Sequence, residues 1–317
     1  MAQDERTLNM DLPGAVADAA EVGDVDAVRD WLAAGGAPDA KNDGVTLLEI
    51  ASASSRPSCA VIAEILCAAG ACADGDNGDE EYYLSFAAFH GAVDTVRVLL
   101  RHGASVSVTN QHGLTALHLA VEANDWRRYI DPWSRVNARR AASIGHQGVV
   151  RLLLKHGAAV NARTTTTNMT PLMALARFSG FVSLDVVREL LAGGADLDVV
   201  SVNGNNAEAI ARHKLSKEIY TGEGIPENTR SCRRPGAVEA FLALLADVRA
   251  AGSWKRYANE PRVQLIVLRK LAESGRAVAT RGILTHLFAP RRRLMISALP
   301  DVLFWKILEF WRTDRDP

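Results

Sequence analysis

The sequence predicts an all-α fold in which short helix-turn-helix units stack side by side. Three observations carry this reading. An apolar helical stretch runs into a Gly-Ala step five times, in WLAAGGA, ILCAAGA, LLRHGA, LLLKHGA and LLAGGA. The only or second glycine of each falls at Gly36, Gly70, Gly103, Gly157 and Gly194, giving spacings of 34, 33, 54 and 37 residues. The first two mark a period near 33, and the third is about one period plus 21. Runs such as Val149-Val150-Arg151-Leu152-Leu153 supply one apolar stripe per helix. A unit this small cannot bury its stripe alone, so the units must pack on one another.

The totals agree with a folded chain. It has 317 residues, 48% hydrophobic and 23% charged, and no apolar run of the ~18 residues that a membrane span needs. The polar start MAQDERTLNM has no apolar core, so no secretory signal is expected. Cys59, Cys67, Cys72 and Cys232 form no CxxC pair, which argues against structural zinc and for reduced thiols in a cytoplasmic or nuclear protein. Charge divides unevenly. From Ala251 onward 13 Lys and Arg face 6 Asp and Glu, whereas the preceding part holds 23 against 31. An acidic body argues against nucleic acid as its partner.

About six units follow in order, over roughly 11–42, 43–75, 76–108, 109–163, 164–200 and 201–250, after a polar stretch at 1–10. Each first helix opens on a recurring pattern. GLTALHLA (Gly113 to Ala120) and TPLMALA (Thr170 to Ala176) carry it most fully, and Ile50-Ala51 and Phe86-Ala87-Ala88 more loosely. These stretches resemble the ankyrin motif G-x-T-P-L-H-x-A, and GHQGVVRLLLKHGAAVNA (Gly145 to Ala162) resembles the second half of an ankyrin repeat. The chemistry of the pattern is independent of the likeness. A threonine hydroxyl caps the first helix and meets the histidine one turn later, and a glycine supplies the left-handed stop of the second helix. In the sixth unit NGNNAEAIAR gives the first helix and AVEAFLALLADV the second, with a polar loop over 213–236 between them.

Three stretches interrupt the repeats. DWRRYIDPWSRVNARRAASI (residues 125–144) lengthens the turn inside the fourth unit and holds two tryptophans and five arginines. Its aromatics either tuck onto neighbouring units or serve a partner, since Trp and Arg dominate binding hot spots. ADGDNGDEE (Ala73 to Glu81) lacks the third ligand and the terminal glutamate of a calcium loop, so it reads as a solvated finger. RTTTTN (Arg163 to Asn168) is another finger. No phosphate loop, GxSxG or HExxH motif occurs, so neither enzymatic activity, cofactor nor metal is expected. His90, His102, His112, His118 and His156 all fall at repeat positions and read as structural.

After residue 250 the repeat signal stops and a small helical region runs over 251–317, with an amphipathic helix from about Pro261 to Gly275. Its last element, LPDVLFWKILEFW, resembles the start of an F-box, LPxExLxxIL, through Leu299, Pro300, Leu303, Ile307 and Leu308. Phe304 and Trp311 lie on the same helix, and Val302 stands where the family has Glu. Viral ankyrin proteins carry a shortened F-box in this arrangement. The likeness implies docking to the Skp adaptor of a cullin ubiquitin ligase. A capping helix that buries its aromatics, or a membrane-surface helix beside Arg291 to Arg293, are the competing readings.

The ankyrin resemblance implies non-catalytic protein binding on the concave face, built from finger tips and the open side of each first helix. By repeat position that places Lys41, Asn42 and Asp43 in one finger and Asn110, Gln111 and His112 in another, with Arg163 in a third. Phe89, His90, Glu122, Met173 and Phe178 are expected on the first helices. A substrate receptor of a ubiquitin ligase, using residues 299–311, is the alternative.

Overall fold

The computed structural model describes residues 11–75, 82–122, 146–177, 183–221 and 236–260. They form antiparallel helix pairs joined by fingers, as the repeat pattern predicts. The helices are α1 (Gly14–Val22), α2 (Val25–Ala33), α3 (Leu47–Ser52), α4 (Pro57–Ala68), α5 (Tyr83–Phe89) and α6 (Val93–Arg101). There follow α7 (Ala116–Glu122), α8 (146–155), α9 (Pro171–Arg177), α10 (Leu184–Ala192), α11 (Ala207–Thr221), α12 (Ala237–Ala251) and α13 (254–260). One two-stranded hairpin, β1 (Lys41–Asn42) and β2 (Val45–Thr46), precedes α3. The chain divides into two compact units, Met1–Leu242 and Ala243–Pro317, so the boundary falls within α12.

Helix starts follow local chemistry. The Asp24 carboxylate accepts the backbone N–H of Asp26 and of Ala27, both at 3.1 Å, and so caps α2. Thr46 Oγ1 does the same for α3 through Glu49 N at 3.1 Å, and Pro57 opens α4 where its missing N–H costs nothing. Helix ends are uniform. The residue after each stop glycine donates its N–H to the carbonyl five positions back. This pairing joins Gly36 to Trp31, Ala71 to Leu66, Ala104 to Leu99, Ala158 to Leu153 and Ala195 to Leu190, at 2.9–3.0 Å.

The glycine that marks the period and the stop glycine differ in the first unit. In the first unit the left-handed residue is Gly35 (φ 89°), and Gly36 takes the place that alanine holds elsewhere. A Cβ on Gly36 would lie 2.1 Å from the Trp31 ring, so only glycine fits there. Two further differences concern length. The first helix of the sixth unit runs on to Thr221, beyond Arg212, so part of the predicted 213–236 loop is helical. Residues 254–260 are helical too, ahead of the start expected at Pro261.

First helices pack in series, α1 on α3, α3 on α5, α5 on α7, α7 on α9 and α9 on α11, while α2, α4 and α6 pack on one another behind them. The seams are Leu-Ala faces. Leu47, Leu48 and Ala51, then Ala87 and Ala88, then Leu117 and Ala120, are essentially inaccessible, as are Ile62, Leu66, Leu99, Leu153 and Leu190 of the second helices. Burying each Leu or Ile contributes roughly 1.5–3 kcal/mol. In the second unit, Leu244, Leu245, Val248 and Tyr257 are buried and Trp254 lies 5.5 Å from the Tyr257 ring.

Close approach sets a sharper demand at Gly113, which has φ 72°. A Cβ there would sit 2.6 Å from the backbone nitrogen of Thr165 in the next finger. At Gly103 (φ 91°) the same Cβ would meet nothing within 4 Å. Gly103→Ala should therefore cost about 1–2 kcal/mol from the backbone alone. Gly113→Ala should cost roughly 2–4 kcal/mol, because overpacking against an immobile backbone adds to that strain. Denaturant unfolding of the two variants checks the difference, and equal losses would contradict the close finger packing.

Candidate functional site

The fingers form a row along one edge of the stack. In β1–β2 the strands pair Lys41 with Thr46 and Asn42 with Val45. Asp43 (φ 50°) and Gly44 (φ 86°) turn the chain between them, the positive-φ pair that a two-residue hairpin requires. In the 109–115 finger the Asn110 carboxamide oxygen accepts the N–H groups of His112 and Leu114, each at 3.0 Å, and Thr109 bridges to Thr115. In the 163–170 finger Thr164 is buried, its hydroxyl 2.9 Å from that of Thr167 and 3.0 Å from Met169 N.

Successive fingers are tied together through the backbone. Thr165 N donates to the His112 carbonyl and Val202 N to the Thr167 carbonyl, both at 3.1 Å. Beneath them, the residue four positions after a stop glycine reaches the next unit. Asp39 accepts Cys72 N at 3.2 Å, Asp74 accepts Ser105 N at 2.6 Å and Asn161 accepts Asp196 N at 2.9 Å. Ser107 holds that position in the third unit, its hydroxyl 3.0 Å from that of Ser105.

Two histidines bridge units. His118 is fully buried, with Nδ1 2.9 Å from Thr115 Oγ1 and Nε2 3.1 Å from the Met169 carbonyl. A carbonyl only accepts, so Nε2 carries the proton and Nδ1 takes the threonine hydroxyl. Burial holds its pKa below the usual imidazole value, so the ring stays neutral. His146, at the start of α8, is buried as well and donates through Nε2 to the Phe89 carbonyl at 2.9 Å. Its ring packs over Gly91, 3.1 Å from where a Cβ would stand.

These contacts sort the expected contact residues. Asp43, Gln111, His112 and Arg163 are exposed at finger tips, and Lys41 and Asn42 are half-buried in the hairpin strand. Asn110 spends its carboxamide oxygen on its own turn. Met173, expected on the open side of its helix, is 1% exposed and belongs to the core, because the histidine position of the motif points inward. Phe89 and His90 are half-buried in the seam beside His146, their rings edge-on at 5.5 Å. Phe178, the side chain of Glu122, the 125–144 insertion and the F-box-like residues Leu299, Pro300, Leu303, Phe304, Ile307, Leu308 and Trp311 lie outside the described residues. The structure adds Thr165, Thr166, Val202 and Asn203 to the exposed tips. Their placement three to five residues before a helix cap was the available signal.

The comparisons with known proteins agree with this geometry. Residues 16–129 match the family of ankyrin repeats in three copies, and 140–165 and 167–202 each match an ankyrin repeat, together more than half of the chain. The chain is an ankyrin-repeat protein. Residues 130–139, between the matches, sit inside the predicted insertion of the fourth repeat. No curated protein matches the chain. Among the described residues no helix of the ankyrin array is long and apolar enough to cross a membrane, and no three metal-ligating side chains cluster.

The seam histidines give the array a pH dependence. Burial first, and the neighbouring His146 second, push the His90 pKa down to about 4. The folded array thus holds His90 neutral where the unfolded chain, with an ordinary pKa near 6.5, would protonate it. This contribution is fully present above pH ~6.5 and is lost progressively as pH falls towards 4. Melting temperatures measured across that window should drop with acid, and His90→Gln should flatten the drop. An unchanged slope in the variant would contradict the seam assignment.

Proposed function

We propose that this array is a non-catalytic scaffold or adaptor that binds a protein partner along its finger row and the adjoining side of the first helices. Ankyrin repeats mediate protein–protein interaction, and ankyrin proteins are typically non-catalytic. The observation that carries the reading is the backbone tie between fingers. It fixes Gln111, His112 and Arg163 relative to one another while leaving all three exposed. Pre-ordered side chains lose little entropy on binding, which is what a recognition surface needs. Cys59 and Cys67 are free and buried, and burial pushes the Cys67 thiol up to about 11, in keeping with a reducing compartment such as the cytoplasm.

The test is a triple variant, Gln111→Ala, His112→Ala and Arg163→Glu. Exposed substitutions of this kind each change stability by within about 0.5 kcal/mol, so the melting temperature should hold. Affinity capture followed by quantitative mass spectrometry should show the wild-type partner reduced at least about tenfold, the equivalent of ~1.4 kcal/mol. Full retention of the partner would refute the finger-row reading.

A second reading, substrate receptor of a cullin ubiquitin ligase, rests on the sequence LPDVLFWKILEFW alone. It predicts that the full chain co-purifies with the Skp adaptor and that Leu303→Glu with Leu308→Glu abolishes this. Absence of the adaptor from the wild-type complex would remove the reading and leave the finger-row proposal untouched.

A further inference from the structure

One helix on the back of the array lacks the polar outer face that its sisters carry. Nine and six residues before the left-handed stop glycine, α2, α6 and α10 hold an aspartate and an arginine. Each couple closes as an ion pair, Asp26–Arg29 at 2.8 Å, Asp94–Arg97 at 2.5 Å and Asp185–Arg188 at 3.2 Å. In α4 the same two positions are Val61 and Glu64. Glu64 is drawn sideways to Arg101 and His102 beside it, at 3.0 and 3.3 Å. What remains along the outer ridge of α4 is Val61, Ile65 and Ala68, spaced i, i+4, i+7 as one helix face requires. Val61 is 46% exposed, Ala68 is exposed and Ile65 is half-buried, so this apolar ridge meets solvent where its sister helices are charged.

We propose that this ridge is a self-association face, on which a second copy of the chain lays its own α4 alongside and in the same direction. Charge decides the occupant. The helix α4 packs between α2 and α6. On the outer side of α2 two exposed carboxylates, Asp26 and Asp30, face one guanidinium, Arg29, which leaves an excess of negative charge. On the outer side of α6 two exposed guanidinium groups, Arg97 and Arg101, face one carboxylate, Asp94, which leaves an excess of positive charge. A twofold axis running along α4 preserves height along the helices and exchanges the flanks, so α2 of each copy meets α6 of the other. Asp30, five residues before its stop glycine, then faces the space between Arg97 and Arg101, which stand six and two before theirs. An antiparallel pairing would set the acidic α2 flank on itself, which like-charge repulsion opposes. The exposed pairs Asp94–Arg97 and Glu64–Arg101 hold weakly and leave their arginines free to share.

The size of the face sets the strength of the pairing. A helix of 12 residues is about 18 Å long, and three adjacent helices with axes about 8–10 Å apart make a patch well under the ~800 Å² per partner of a stable interface. The dimer is therefore weak and reversible. It uses the second helices, so the first helices and the fingers in front of them stay free. Pairing places two finger rows on one particle and raises the effective concentration for a partner with two sites. The self-association does not rest on the finger-row reading, and either can fail alone.

The test is sedimentation of the full chain from low to high micromolar concentration. The mean mass should rise from that of one chain towards that of two. Val61→Asp installs the residue that α2, α6 and α10 hold at this place, so the melting temperature should stay put while the dimer dissociation constant rises at least about tenfold. Asp30→Arg should weaken the dimer as well, and Asp30→Arg combined with Arg97→Asp should restore it, since the exchanged charges meet again across the twofold axis. A chain that stays monomeric throughout, or a dimer indifferent to Val61→Asp, would overturn the proposal. So would a double reversal that recovers nothing, because the flanks would then not face each other. A monomeric wild type whose capture of a cellular protein is lost in Val61→Asp would give the ridge to a different protein and overturn it also. None of these outcomes bears on the finger-tip triple variant, which tests the other face.

Discussion

No repeat in this protein can bury its own apolar face, and every other feature of the array follows from that constraint. The Leu47-Leu48 face of α3 is sealed only because α1 and α5 lie on either side of it. The same holds at Leu117 between α5 and α9. The seam must therefore keep its register even where the sequence between the helices varies. Residues 123–145 separate α7 from α8, yet α7 still packs on both α5 and α9. Loop length is tolerated because closure entropy grows only logarithmically, about 0.6 kcal/mol per doubling. A change of register would instead uncover several leucines at roughly 1.5–3 kcal/mol apiece.

Stacked helices fix where the fingers begin, and a second set of contacts fixes where they point. The buried His118 reaches from the Thr115 cap of its own helix to the Met169 carbonyl at the base of the next finger. One neutral imidazole thus couples helix start to finger position across two repeats. Asp39, Asp74 and Asn161 repeat a similar coupling one level lower. Only the Asp74 bond is part-buried, where losing one partner strands the other, while those of Asp39 and Asn161 are exposed. Their effect is geometric. They turn a pile of helices into a ruled surface of exposed tips.

Much of this was legible in the sequence, and the failures are instructive. GLTALHLA announced the Thr115–His118 pair, because that contact lies within one helical turn. The stop glycines were legible except at Gly35-Gly36, where a doubled glycine hides which residue is left-handed. Counting from the preceding leucine chooses Gly35, whose N–H bonds to the Leu32 carbonyl. Met173 was misplaced for a different reason. It is buried in a helix that packs on both neighbouring first helices, and the sequence of one repeat does not show what the next lays across it. His146 went unremarked in the sequence because its partner, the Phe89 carbonyl, lies 57 residues away.

The distribution of ties along the stack also bears on where binding can be concentrated. Between the third and fourth repeats Ser107 stands where the other seams have Asp or Asn, and His146 joins the two repeats at the far end of the helices. From the fourth repeat onward the fingers themselves are joined, by two backbone bonds and by the close approach of Gly113 to Thr165. Gln111, His112, Arg163, Thr166 and Val202 therefore ride on one continuous strip, whereas Lys41 to Asp43 sit on a hairpin anchored to Leu12 at the other end. A partner that contacts the strip meets side chains whose spacing is already set. The physical case for recognition is strongest over the fourth to sixth repeats, even though the repeat pattern alone spreads it evenly along the array.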